Sequence, residues 1–254
     1  MAGADYTGAD LFVDTLETYG VTHLFGNPGT TELPLMRAVA DSSLSYVLGL
    51  HEDIAVGMAG GYASVRRYHS HHDPSINPLG VVNLHVAPGL AHGLGNVQNA
   101  AWAGVPLLVT AGNHSTDFGH EEPILSGDLV EMVEEYCKLS AEVRDVSAMG
   151  TMVRRAVRTA LTPPMGPVFL SLPMDVLMAP TDDSPERLGA ISDGGRGDAE
   201  QVDAAVDALE AADEPVLVLG DHVARAGPEA IDAAVALAEA TGSAVYSEML
   251  TCEI

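Results

Sequence analysis

The chain has 254 residues, 47% of them hydrophobic, which is enough for one large α/β domain or for one domain and part of another. It carries 36 acidic residues against 11 Lys and Arg, a formal net charge of -25, so it would repel nucleic acid phosphates and anionic membranes. This excess is typical of a protein adapted to high salt, where ions screen the self-repulsion, although an ordinary acidic cytosolic protein is the alternative.

The compartment is indicated by the cysteines and by the N-terminus. Cys137 and Cys252 cannot form a disulfide framework, which fits a reducing compartment. The first twelve residues, "MAGADYTGADLF", have neither the basic nor the apolar region of a signal peptide. No apolar run reaches the ~18 residues that a membrane helix needs. We therefore expect a soluble, cytoplasmic protein.

Short apolar runs alternate with Ala-rich helical segments along most of the chain. The runs at 22–26, 46–50, 80–86, 106–112 and 167–173 are almost continuously apolar, as strands buried on both faces would be. Helices are predicted near 8–19, 32–40, 53–67, 89–103, 125–135 and 147–161. The alternation predicts an α/β fold: a three-layer, doubly wound, mostly parallel sheet with helices on both faces.

The amino-acid composition changes after residue 180. Residues 181–198 are polar and rich in Gly, Pro and Asp, which predicts a linker between a first domain at 1–180 and a second at 199–254. The second region predicts a helix at 199–212, a strand at 215–220, a helix at 227–241 and a strand at 244–249. These elements are few for an independent core, so we expect a partial second α/β domain.

Candidate ligand-binding residues follow four of the predicted strands. In parallel α/β sheets, ligands bind at the carboxyl ends of the strands. The four segments are "GNPGTTELP" with Gly26, Pro28, Gly29, Thr30 and Thr31; His51 with Glu52; His85 with "APGLAHGLGN"; and Asn113 with His114. Each segment also has a purely structural interpretation. The Gly-Pro-Thr segment can be only a turn and a helix cap, and Glu52 can be a carboxylate that the helix dipole favours at a helix start. His85 can be a core or rim histidine with its hydrogen bonds made within the protein.

Other motifs point to weaker possibilities. The Gly pattern does not match G-x-G-x-x-G, which argues against a nicotinamide dinucleotide site. The segment "YHSHHD" at 68–73 has the residue types of a metal site, but it lies in a polar turn, and we predict no metal ligands in this chain.

Taken together, these segments resemble a known family. "YGVTHLFGNPGTTELPL", "HEDIAVGMAGGYA", "HVAPGLAHGLGNVQNAAWAGVPLLVTAGN" and "GPVFLSLPMDV" are similar, in order and spacing, to the N-terminal pyrimidine-binding domain of thiamine diphosphate-dependent enzymes. The group is that of acetolactate synthase, pyruvate decarboxylase and benzoylformate decarboxylase, and the finer likeness is to benzoylformate decarboxylase. The resemblance covers about residues 8–180, and residues after 199 look like the start of the family's middle domain.

The resemblance implies roles for individual residues. Glu52 matches the acid that hydrogen-bonds the pyrimidine nitrogen of thiamine diphosphate and activates the cofactor, and partial desolvation would help it to share a proton. His85 matches an active-site histidine that shuttles protons or orients the substrate carboxylate. Thr30, His51 and His85 are the implied substrate contacts, and Pro28, Gly29, Gly89 and Asn96 are implied cofactor contacts together with Glu52.

The resemblance also implies parts that the sequence does not contain. The family holds Mg²⁺ and the cofactor's diphosphate through a C-terminal domain marked by Gly-Asp-Gly and Asn-Asn, and this pattern is not found in the chain. We therefore expect the isolated chain to be inactive. A homodimer, a higher oligomer or a partner chain with the diphosphate-binding domain would complete an enzyme acting on 2-keto acids. FAD is not expected, and a silent or regulatory module of the same fold is the alternative.

Overall fold

The computed structural model describes residues 6–191 and 195–248. The chain divides into two compact units, Met1–Ser70 with Pro74–Asp193 and His71–Asp73 with Gly194–Ile254. Within the described residues, no helix is both long enough and apolar enough to cross a membrane.

The larger unit is built on six parallel strands. They are β1 (His23–Gly26), β2 (Ser45–Leu48), β3 (Gly80–Leu84), β4 (Leu107–Asn113), β5 (Ser140–Glu142) and β6 (Val168–Pro173). They lie in the order β2-β1-β3-β4-β6-β5, and every neighbouring pair is parallel. This arrangement confirms the predicted α/β class and the parallel sheet.

Seven α-helices accompany this sheet. They are α1 (Gly8–Thr18), α2 (Leu33–Ala40), α3 (Glu52–Ser70), α4 (Val86–Trp102), α5 (Leu129–Val133), α6 (Met149–Leu161) and α7 (Met174–Met178). One apolar core is formed by residues of α1, α2, α6 and α7 against the sheet, and a second by residues of α3, α4 and α5 against its other face. The helices therefore cover both faces, which gives the three predicted layers.

The central strands have the burial that the apolar runs predicted. All residues of β3 and β6, and all but the last of β4, are buried. The expectation that residues 46–50 are buried on both faces is wrong, because β2 lies at the edge of the sheet, where Leu48 is 57% exposed. The other edge strand, β5, was not predicted, since three residues of sequence Ser-Ala-Glu carry no apolar run.

The smaller unit has a βαβ arrangement. It contains α8 (Ala199–Ala211), β7 (Val216–Leu219), α9 (Asp221–Arg225), α10 (Pro228–Thr241) and β8 (Ala244–Ser247), and its two strands are parallel. Among its described residues, no hydrophobic side chain is buried. The division into domains at 1–180, 181–198 and 199–254 stays a prediction.

Candidate active site at the strand ends

The candidate site lies where the chain reverses its direction across the sheet. After β1 the chain passes to β2 on one side, and it then crosses back to β3 on the other side of β1. The loops that leave β1 and β3 at their carboxyl ends therefore diverge and leave a crevice, which is where open parallel sheets bind ligands. The β1 loop leads into a short 3₁₀ turn at Thr30–Glu32, and the β3 loop is His85 itself, which precedes α4.

A buried carboxylate and a histidine meet in this crevice. The side chain of Glu32 is completely buried, and its Oε2 lies 2.7 Å from Nδ1 of His85, whose side chain is 25% exposed. Glu32 also accepts hydrogen bonds from the backbone N–H of Gly29 at 2.7 Å and from the hydroxyl of Thr31 at 2.7 Å. The contact engages Nδ1 of His85, so its other ring nitrogen, Nε2, takes no part in the pair with Glu32.

Two glycines make room for this pair. A Cβ at Gly29 would overlap the imidazole of His85, and a Cβ at Gly112 would overlap Oε1 of Glu32 and lie 2.8 Å from Oγ1 of Thr31. At Gly112 the overlap can be relieved only by moving the buried Glu32, and at Gly29 it can be relieved only by moving the ring of His85 that Glu32 holds, so both positions favour glycine for steric reasons.

The junction between β3 and α4 is strained. Val86, directly after His85, is buried and has a φ of 38°, in the left-handed region that a β-branched residue rarely adopts. Such conformations are concentrated at functional sites, where the surrounding structure holds them in place. The strained residue directly follows His85, which caps α4.

Glu52 is the first residue of α3, beside this crevice. Its side chain is 14% exposed, and its Oε2 lies 3.4 Å from Nδ1 of His92 on α4. A Cβ at Gly89 would lie 3.3 Å from Oε1 of Glu52 and 3.3 Å from Cβ of His85. The missing side chain of Gly89 therefore allows the carboxyl of Glu52 and the base of His85 to lie close to α4.

The helices that carry these residues are held together closely. The carboxylate of Asp53 accepts from the backbone N–H of Asn96 at 2.9 Å, and the amide of Asn96 donates to the carbonyl of Asp53 at 2.9 Å. A Cβ at Gly93 would lie 3.1 Å from Val56 and 2.9 Å from Leu84. These contacts fix α3 against α4, so the position of Glu52 relative to His85 is set by helix packing.

A second polar group lies at the carboxyl ends of β4, β5 and β6. The amide of Asn113 donates to Oε2 of Glu142 at 2.9 Å, and the hydroxyl of Ser171 donates to the same oxygen at 3.1 Å. A cleft of about 1100 Å³ opens here, and Arg144 and Asp128 are among its lining residues. The fourth strand end thus presents polar groups, as the position of Asn113 and His114 in the sequence predicted.

The residues singled out in the sequence have different surroundings. Glu52, His85, Gly29 and Gly89 lie together around the crevice, as described above. Thr30 is exposed, whereas the neighbouring Thr31 is buried 3.3 Å from His85.

Three further residues were predicted to contact the cofactor or the substrate. Pro28 lies in the β1 loop and is half-buried. His51 is exposed, and Asn96 uses its amide group in the contact between the helices. The assignment of individual residues to cofactor and substrate stays a prediction.

Sequence reasoning missed Glu32. A signal was present, because Glu32 is the third residue of the turn that begins at Thr30 and its carboxylate returns to the N–H of Gly29. This is the geometry of a capping box, which places an acidic residue three positions after the cap. The pattern "GTTE" could therefore have identified the carboxylate, although not its contact with His85.

The chemistry of the site suits an aminopyrimidine. Glu52 is a mostly shielded carboxyl, which can share a hydrogen bond with a ring nitrogen. The side chain that lies next to this carboxyl is the exposed imidazole of His92. The residues present therefore fit the pyrimidine end of thiamine diphosphate.

Comparison with known proteins identifies the family of the chain. Residues 6–132 match the family model of the thiamine pyrophosphate enzymes, N-terminal TPP binding domain. The chain is 34% identical over 229 residues to benzoylformate decarboxylase of Pseudomonas aeruginosa, and the aligned region covers 89% of this chain and 41% of that protein. It is 28% identical over 233 residues to an acetolactate synthase of Arthrospira platensis, covering 88% of this chain and 38% of that protein.

A solved structure shows the same architecture. The thiamine diphosphate-dependent 4-hydroxybenzoylformate decarboxylase of Rhodococcus jostii RHA1 superposes with a TM-score of 0.80 at 31% identity, over 95% of this chain and 44% of that one. The chain thus spans about two fifths of the length of the two curated relatives described above. The chain belongs to the family of thiamine pyrophosphate enzymes, and its residues 6–132 are the N-terminal domain of that family.

Proposed function

We propose that this chain supplies the pyrimidine-activating half of a thiamine diphosphate-dependent enzyme that decarboxylates or carboligates 2-keto acids. The observation that carries the proposal is the shielded carboxyl of Glu52 at the start of α3, which lies close to Gly89 and to the base of His85 at the carboxyl ends of the strands. A ring held against Glu52 would place its reacting partner near a histidine whose Nε2 can exchange a proton.

The roles of the residues follow from their surroundings. Glu52 is mostly shielded from water at the start of α3, where its carboxyl can share a hydrogen bond with a ring nitrogen. Glu32 holds Nδ1 of His85, so its other ring nitrogen, Nε2, is the one we assign to the substrate as a proton donor or acceptor. Thiamine diphosphate, when bound, supplies the electron sink for cleavage next to the keto carbonyl.

The remaining parts of the enzyme are also proposals. We propose that Mg²⁺ and the diphosphate are held by a domain outside this chain, because the chain spans only 41% of benzoylformate decarboxylase. That domain would come from a partner chain or from the rest of a longer protein, in a homodimer or higher oligomer. An aromatic 2-keto acid is the first substrate to test, since two of the relatives are named for benzoylformate or its 4-hydroxy form.

Binding of the pyrimidine tests the proposal directly. We expect thiamine diphosphate to shift the NMR methyl signals of Ala55, Ala87 and Leu90, which lie on the two helices of the site, and Glu52→Ala to weaken this binding. An analogue with carbon in place of the ring nitrogen is the matched control, and its binding should not respond to Glu52→Ala. Shifts confined to other parts of the chain, or equal responses of the two ligands to the substitution, would contradict the proposed site.

Turnover provides the second readout. The chain is mixed with the diphosphate-binding part of the Pseudomonas aeruginosa relative, thiamine diphosphate and Mg²⁺, and CO₂ release from benzoylformate is measured. Release that depends on Glu52 supports an enzyme component. Tight pyrimidine binding without any release from benzoylformate or pyruvate would instead identify a silent binding module.

A further inference from the structure

We propose that His51, Glu52 and His92 form a binding site for a divalent transition-metal ion, with Zn²⁺ as the representative ion. One nitrogen from each histidine and one carboxylate oxygen all lie within 4.8 Å of one another. This group could not be expected from the sequence, because His92 lies on α4, 41 positions after His51, which directly precedes α3. The His-rich segment at 68–73, which has the residue types of a metal site, does not form such a group among the described residues.

The distances agree with those of a zinc site. Zinc binds imidazole nitrogen and carboxylate oxygen at about 2.0–2.2 Å, so that two ligand atoms of a tetrahedral site lie about 3.3–3.5 Å apart. Nδ1 of His92 and Oε2 of Glu52 are already 3.4 Å apart. Only the ring of His51 must move closer, and it is an exposed side chain that rotation about its own bonds can reposition.

The type of ligand selects the class of metal. Two imidazoles and one carboxylate favour Zn²⁺, Cu²⁺ and Ni²⁺ over Mg²⁺ and Ca²⁺, which prefer sites made entirely of oxygen. Three protein ligands leave a fourth position for water. The net charge of -25 raises the concentration of cations near the surface, and His92, 59% exposed, is open to metal ions in solution.

The backbone under the site is already ordered. Asp53 follows His51 and Glu52 in the chain. Its carboxylate and its carbonyl both accept hydrogen bonds from Asn96, which lies on the same helix as His92. The rings of His51 and His92 are stacked, with centroids 5.2 Å apart. Metal binding gives up one contact, because Nδ1 of His51 now accepts a hydrogen bond from the N–H of Asp53 at 3.2 Å.

The metal would use the same carboxylate that we assign to the pyrimidine. This consequence rests on the proposed function: while Glu52 ligates a metal it cannot bind the ring nitrogen, so the metal ion is an inhibitor that competes with the cofactor. The binding site itself does not depend on the proposed function, since its three ligands are present in the isolated chain.

The test measures Zn²⁺ binding to the untagged chain without thiamine, by competition with a chromophoric chelator. We expect one Zn²⁺ per chain, and each of His51→Gln, His92→Gln and Glu52→Gln should weaken binding at least about tenfold. His120→Gln is the matched control, because Nε2 of His120 lies 3.3 Å from Glu121 on the surface but the pair is not part of the three-ligand group. This control should bind Zn²⁺ like the unaltered chain.

Two outcomes would overturn the proposal. One is the absence of stoichiometric Zn²⁺ binding, and the other is binding that all three ligand variants and the control retain equally. His92 is exposed, so its substitution should leave the fold intact, which circular dichroism verifies. Because no thiamine is present, failure of zinc binding leaves the proposed function standing. Conversely, zinc binding together with cofactor binding that Glu52→Ala does not weaken would defeat the proposed function alone.

Discussion

Glu32 and His85 are 53 positions apart in the sequence, yet Oε2 of the one lies 2.7 Å from Nδ1 of the other. The contact exists because β1 and β3 are neighbours in the sheet, so the residues that follow them meet at the same edge. It holds one ring nitrogen of His85 against a fully buried carboxyl. Substitution of Glu32 should therefore affect both the stability of the fold and the protonation of His85.

Truncation of Glu32 should destabilise the larger unit. Glu32→Ala removes the acceptor for the Gly29 N–H, the Thr31 hydroxyl and the His85 ring, all in a buried place. Loss of one member of a buried pair costs about 3–5 kcal/mol, and we expect a fall of this order in the free energy of unfolding. Urea denaturation followed by circular dichroism measures it. The exposed Glu135→Ala is the control, and an equal loss in both variants would refute the assigned role.

Glu32→Gln tests whether Glu32 determines which ring nitrogen of His85 carries the proton or only fills space. The amide keeps the volume of the carboxyl but can donate as well as accept, so Nδ1 of His85 is no longer obliged to carry the proton. We expect long-range ¹H–¹⁵N NMR spectra to show the Nδ1–H form of His85 in the unaltered chain and a mixed population in the variant. An unchanged tautomer would mean that Glu32 only fills space.

Gly112 should not tolerate alanine. The added Cβ would overlap Oε1 of Glu32 and crowd the hydroxyl of Thr31, both of which are buried. Overpacking of this kind costs about 1–3 kcal/mol, and we expect Gly112→Ala to lower the free energy of unfolding by that amount. Gly119→Ala is a matched control, because nothing lies within 4 Å of a Cβ there. Thermal unfolding compares the two, and similar melting temperatures would contradict the steric argument.

Glu52→Gln should remove turnover from the assembled enzyme while leaving cofactor affinity little changed. The amide can still hydrogen-bond a ring nitrogen but cannot exchange a proton with it, and general acid–base groups contribute about 10²–10⁴-fold to rate. The measurement is kcat for a 2-keto acid with saturating thiamine diphosphate, beside the dissociation constant of the cofactor. A variant that keeps more than a tenth of the rate would show that Glu52 is not the activating acid.

Cys137 should be unreactive in the folded chain. Burial raises the pKa of its thiol from 9.0 to about 12, so at pH 8 the thiolate is about a thousandfold scarcer than in the unfolded chain. We expect slow labelling by iodoacetamide that accelerates in urea, measured by mass spectrometry of the peptide that contains Cys137. Rapid labelling under native conditions would contradict this.

The same pKa shift makes a prediction about alkaline stability. The unfolded chain loses the thiol proton near pH 9, whereas the folded chain keeps it to about pH 12, so stability falls as the pH rises between these values. Cys137→Ala should reduce the slope of the free energy of unfolding against pH in this window. An unchanged slope would show that other groups dominate it.

The sequence by itself determined the class of the fold. The apolar runs of β3, β4 and β6 could be recognised without any structure, because a strand covered on both faces needs apolar residues at successive positions. Glu52 and His85 could be named for a related reason, since each follows a predicted strand and the ends of parallel strands share one edge. The short edge strand β5 left no such signal, because it is only three residues long and half-buried.

Only the tertiary structure decided which of these residues meet. The contacts of Glu32 with His85 and of Glu52 with His92 join segments whose separation in the chain says nothing about distance in space. They depend on the order of the strands and on the packing of α3 against α4, which the glycines at 89 and 93 bring close together. A local pattern records the preferences of neighbouring residues, whereas the geometry of a site is fixed by how whole elements pack.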